Sequence, residues 1–132
     1  MRLFSCFKKK KDTDNIRGCI KNFILNYMDG YCKANPRNTG SATIICSETI
    51  RCVYAFSDKK FEDAMKECNV SVEDAALSLI QLNARTYINE RLKLEEDAES
   101  AYKFYGAVIN ERYERGFITK DQYEADLSYE IS

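Results

Sequence analysis

Residues 71–116 read SVEDAALSLIQLNARTYINERLKLEEDAESAYKFYGAVINERYERG, and how this stretch is partitioned decides the fold. It has no proline, no glycine before Gly106, and a density of Ala, Leu, Glu, Arg and Lys that favours helix throughout. Ser71 can cap free backbone N–H groups, and Glu73 and Asp74 suit the positive helix end. Gly116 stands where a left-handed residue closes a helix at least cost. Ala75, Ala76, Leu77, Leu79, Ile80, Leu82 and Ala84 lie around most of the circumference, so Val72–Leu94 is expected at the centre of the fold. An unbroken helix from Val72 to Arg115 would span roughly 66 Å. A compact chain of this length has a radius of gyration near ~14 Å. A break is therefore expected at Leu94–Asp97, with Glu95, Glu96 and Asp97 in the first turn of a new helix. That helix carries Ala98, Ala101, Tyr102, Tyr105, Val108 and Ile109 on one face.

Beyond Gly116, Thr119 and Gln122 have the spacing of a capping box, and Ile118 and Tyr123 that of a hydrophobic staple. A C-terminal helical hairpin follows. Toward the N-terminus, Ile16, Cys19, Ile20, Phe23, Ile24, Tyr27, Met28 and Tyr31 recur at helical spacing after the cap candidates Asp12, Thr13 and Asp14. Pro36 ends that helix near Lys33–Asn35. Residues 41–56 fit two patterns. Their alternation and β-branched content suit a strand, yet the alternation breaks at Glu48 and no partner strand exists, so a helix capped by Ser41 is expected. Ser57–Lys60 opens a further helix through Phe61, Ala64, Met65 and Cys68. The expected fold is all-α: a flexible basic segment over residues 1–11, then a single compact domain over residues 12–132. That domain holds five or six helices around a central helix.

The 132 residues suffice for one core, and no apolar run approaches a membrane span. The net charge of −1 hides a gradient: +6 over residues 1–40, −1 over 41–70 and −6 over 71–132. Six cysteines at positions 6, 19, 32, 46, 52 and 68 form no Cys-x-x-Cys, and several fall on apolar faces. Free thiols in a reducing, cytoplasmic setting are expected.

Histidine is absent, which removes the commonest general base, the usual triads and most transition-metal sites. No glycine-rich phosphate loop exists, and neither metal nor cofactor is expected. Nucleic-acid binding would need a basic face, which the acidic remainder of the chain opposes. Two surfaces are left. Glu95, Glu96, Asp97 and Glu99, with Tyr113 and Tyr129 further along, read as a docking face for one protein partner with a basic surface, since acids steer encounter and tyrosines supply contact area. A non-enzymatic inhibitor of the immunity kind is the concrete expectation. The alternative is a membrane-peripheral adaptor, in which Leu3, Phe4 and Phe7 dip into lipid while Lys8, Lys9, Lys10 and Lys11 make a weak contact with anionic headgroups. Surplus amphipathic surface also leaves room for a homodimer.

Overall fold

The computed structural model describes residues 15–128. These are all-helical, about 80% helix with no strand among them, in six helices that form one compact arrangement. In chain order they are α1 (Ile16–Ala34), α2 (Thr39–Val53), α3 (Asp58–Cys68), α4 (Val72–Lys93), α5 (Glu99–Glu114) and α6 (Lys120–Leu127). The ambiguous middle stretch is helix α2. It buries Ala42, Ile45, Cys46, Thr49 and Val53, a spacing of three and four that an alternating strand could not place on one side.

α4 packs against α1, α2 and α5, which places it at the centre. Ser71 Oγ accepts from the Asp74 N–H at 3.1 Å and starts it. Its buried residues, Val72, Ala76, Leu77, Ile80, Gln81, Ala84 and Ile88, run its full length. Leu82 lies outside that face and is exposed, so the helix is central without being enclosed on all sides. The core of α5 is Ala101, Phe104, Tyr105, Val108 and Ile109. Phe104, absent from the expected face, is fully buried, and Tyr102, present in it, is exposed. Phe104 sits one turn from Ala101 and Val108 and receives the edge of Tyr31 at a centroid distance of 4.9 Å. Thr49 is buried at no polar cost, because its hydroxyl donates to the Ile45 carbonyl at 2.7 Å.

The helix ends differ in detail from expectation. Asn15 starts α1, its side chain accepting from the Gly18 N–H at 2.8 Å; Asp12, Thr13 and Asp14 lie outside the described residues. α2 begins at Thr39, ahead of Ser41. Thr119 caps α6 by accepting from the Gln122 N–H at 3.1 Å. The other half of the capping box is unmade, since the Gln122 amide turns to Asp126 Oδ1 at 2.7 Å.

Three helices close by one device. In each, an N–H bonds back across the last turn while the next residue's N–H reaches the carbonyl one residue deeper: Asn69 and Val70 on α3, Glu95 and Glu96 on α4, Gly116 and Phe117 on α5. The pivot residues Asn69, Glu95 and Gly116 have φ of 57°, 58° and 79°, all left-handed. For Glu95 this costs of order 1 kcal/mol that a glycine would avoid.

α3 buries no residue completely and leans on α1 through Phe61 and Met65. Arg17 ties it down: its backbone N–H donates to Asp58 Oδ1 at 3.0 Å and its guanidinium donates to the Phe56 carbonyl at 3.0 Å. The thiols are mixed. Cys32, Cys46, Cys52 and Cys68 are free, whereas Cys19 is disulfide-bonded, against the expectation of free thiols. Pairing follows from spatial proximity, which spacing along the chain does not report.

Candidate functional site

Three polar features stand out on this frame. The first is the turn between α4 and α5. Glu95, Glu96, Asp97 and Glu99 are all exposed there, together with Leu94, which at 68% exposure is the most exposed large apolar side chain described. The three acids Glu95–Asp97 form the connection itself, and only Glu99 enters the first turn of α5. Asp97 nonetheless serves that helix, because its Oδ1 accepts from the Glu99 N–H at 3.2 Å. Arg91 braces the turn from within, donating to the Asp97 carbonyl at 2.6 Å and pairing with Glu96 at 3.4 Å. Leu92 and Tyr102 are exposed on the flanking helix ends. The turn is therefore held from both sides and presents one apolar side chain amid four carboxylates.

The second feature is a groove of about 510 Å³ between α1 and the C-terminal half of α5. Phe23, Tyr27 and Tyr31 supply its aromatic wall, and Ala107, Glu111 and Glu114 face them. Arg115 lies across its mouth, with its guanidinium 5.1 Å from the Phe23 ring centroid and its Nε 2.6 Å from Glu111 Oε2. Burial raises the Tyr27 and Tyr31 phenols above their ordinary value, and for Tyr27 the nearby Glu111 carboxylate adds to the shift. Both rings are thus neutral at physiological pH. Tyr113 belongs to this end of α5, where it stacks on Tyr123 at 4.5 Å. Fourteen residues of helix separate it from Glu99, about 21 Å. The structure keeps the four turn acids together and puts Tyr113 elsewhere. Tyr129, and the membrane-surface candidates Leu3, Phe4, Phe7, Lys8, Lys9, Lys10 and Lys11, lie outside the described residues.

The third feature is a buried polar cluster where α6 meets α4 and α5, for which no single stretch of sequence gives a signal. Asp126 is the one residue of α6 that is buried. Its carboxylate accepts from the Gln81 and Gln122 amides at 3.2 and 2.7 Å and pairs with Arg85 at 3.5 Å. Arg112 donates to Gln81 Oε1 at 2.8 Å and pairs with Asp74 at 3.6 Å. Tyr105 joins both sides, accepting from Arg85 Nε at 2.8 Å and donating to the Asp126 carbonyl at 3.2 Å. Two cations and two carboxylates meet here, and the Gln81 and Gln122 amides and the Tyr105 hydroxyl bridge between them. A hydrogen-bonded cluster of this kind holds elements together.

The described residues contain no group of three or more His, Cys, Asp and Glu able to hold a metal ion. No described helix is long and apolar enough to cross a membrane. Compared with protein-family models, curated proteins and solved structures, the chain matches none.

Proposed function

We propose that this protein is a non-enzymatic binder of one protein partner with a basic surface, engaged through the α4–α5 turn, which it neutralises or regulates in the manner of an inhibitor or immunity protein. The observation that carries this reading is Leu94, exposed among Glu95, Glu96, Asp97 and Glu99 on a turn braced by Arg91. An exposed apolar side chain beside a run of carboxylates has the form of an interface anchor with a steering rim. The left-handed backbone at Glu95 supports it further, since a strained residue in a rigid turn keeps the presented surface in one conformation. A cytoplasmic setting belongs to the same proposal; the four free thiols favour it and the bonded Cys19 opposes it.

The test is affinity purification from the native host with the wild-type chain and with a Leu94→Asp/Glu95→Lys/Glu96→Lys variant. A stoichiometric basic protein retained by the wild type and lost from the variant supports the reading. Equal retention by both removes the turn from the interface, and no retained protein by either removes the function. Circular dichroism on the variant guards against unfolding, which is not expected at such exposed positions.

A further inference from the structure

The groove between α1 and α5 is independent of the turn, and its chemistry is narrower than a general attraction for cations. Its aromatic wall and its carboxylates face each other, and Glu111 and Glu114, three residues apart, share one face of α5. A guanidinium suits that pairing better than an ammonium. It is planar, so it stacks on a ring while its N–H fork donates sideways to carboxylate, and it is less strongly hydrated. The chain itself shows the arrangement, because Arg115 already stacks over Phe23 while donating to Glu111.

Gly30 adds a second, unrelated observation. It lines the groove from within α1, where glycine costs roughly 0.5–1 kcal/mol relative to alanine. Nothing lies within 4 Å of where its Cβ would stand, and its φ is not left-handed, so neither packing nor backbone requires glycine there. What it does provide is an open wall.

We infer that this groove is a receptor for an arginine side chain carried by the basic partner, with Arg115 as the internal occupant that it displaces. The inference rests on the proposal that the partner is basic and names the side chain it presents.

The experiment uses the full chain and fluorescently labelled nona-arginine and nona-lysine, followed by anisotropy near ~0.1 M salt, where exposed charges more than about 10 Å apart are screened. Equal peptide charge isolates the guanidinium. Nona-arginine is expected to bind about tenfold more tightly than nona-lysine, a difference that stacking supplies and charge does not. Glu111→Gln/Glu114→Gln should abolish the preference. Gly30→Leu should abolish it too, while raising thermal stability through better helix propensity; that combination separates a filled groove from a damaged fold. Arg115→Ala, which removes the internal competitor, should raise the nona-arginine affinity. Equal binding of the two peptides overturns the receptor, as does a preference that survives in the Gly30→Leu and Glu111→Gln/Glu114→Gln variants. If that equal binding is lost in Glu95→Gln/Glu96→Gln, the basic-partner reading stands and the groove alone falls. If neither peptide binds, both fall.

Discussion

Two clusters of charge in this molecule behave in opposite ways. The α4–α5 turn concentrates Glu95, Glu96, Asp97 and Glu99 within five consecutive positions, all exposed. The α4–α5–α6 cluster draws Asp74, Gln81, Arg85, Tyr105, Arg112 and Asp126 from across the C-terminal half and holds them largely out of water. In the turn, water screens each carboxylate, so the charges contribute little to stability and stay available to a partner. In the cluster, the side chains of Asp126 and Arg112 are only 9% and 16% exposed, so a partner removed there is poorly replaced by water. Proximity along the chain marks the interaction surface, and proximity in space marks the structural tie.

The sharpest way to break this contrast is Asp126→Ala. It leaves Arg85 and Arg112 without their shared carboxylate and should cost about 3 kcal/mol in urea denaturation. A loss below 1 kcal/mol would mean the cluster is solvated after all, and the distinction between the two sites would collapse.

Alkaline pH should come next. Burial, with a smaller contribution from Cys32, pushes the Cys46 thiol from 9.0 up to about 12, and Tyr27 is raised for the same leading reason. In both, the folded state holds its proton more tightly than the unfolded state. For Cys46 the stabilisation is therefore complete below pH 9 and is lost as pH rises from 9 toward 12. For Tyr27 the loss begins only above its ordinary value of 10.0. The slope approaches about 1.4 kcal/mol per pH unit for each group. Thermal melts from pH 8 to 11 on wild type and Cys46→Ala check this, with the flatter profile expected in the variant.

The turn itself separates backbone from charge. Glu95→Gly relieves the left-handed strain at φ 58° and should stabilise by about 0.5–1 kcal/mol, net of the entropy glycine adds to the unfolded chain. Gly116→Ala, at φ 79°, should destabilise by about 1 kcal/mol on the same logic reversed. Smallest of all is the effect of neutralising the turn. The quadruple variant Glu95→Gln/Glu96→Gln/Asp97→Asn/Glu99→Gln should stay within about 0.5 kcal/mol of wild type. It should nevertheless lose the basic partner, and a variant that retains it refutes the electrostatic part of the interface.

Most helices were legible because their signals are local. Ser57, Ser71 and Thr119 each cap the helix that follows them, and the heptad-like run from Ile16 to Tyr31 states its buried face directly. The break after Lys93 was legible for a geometric reason, since no compact chain of this length accommodates a 44-residue rod. Less was legible where two residues could serve one role. Phe104 and Tyr102 both satisfy helical spacing, and only the position of Tyr27 and Tyr31 on α1 decides that Phe104 turns inward. The acidic turn was readable as composition. The groove was not, because Phe23, Gly30 and Glu111 come from helices that meet only after folding.

By itself the amino-acid order determined the all-helical class, the Ser57, Ser71 and Thr119 caps, and the charge gradient along the chain. Each of these depends on residues within a few positions of one another, where propensity, capping and periodicity act. Tertiary structure alone decided which polar residues meet. It placed Asp126 against Arg85, left Leu94 exposed among acids, and set aromatic α1 opposite Glu111 and Glu114. Those pairings require chain segments far apart in sequence to come together, and their energies depend on how far water is excluded once they do.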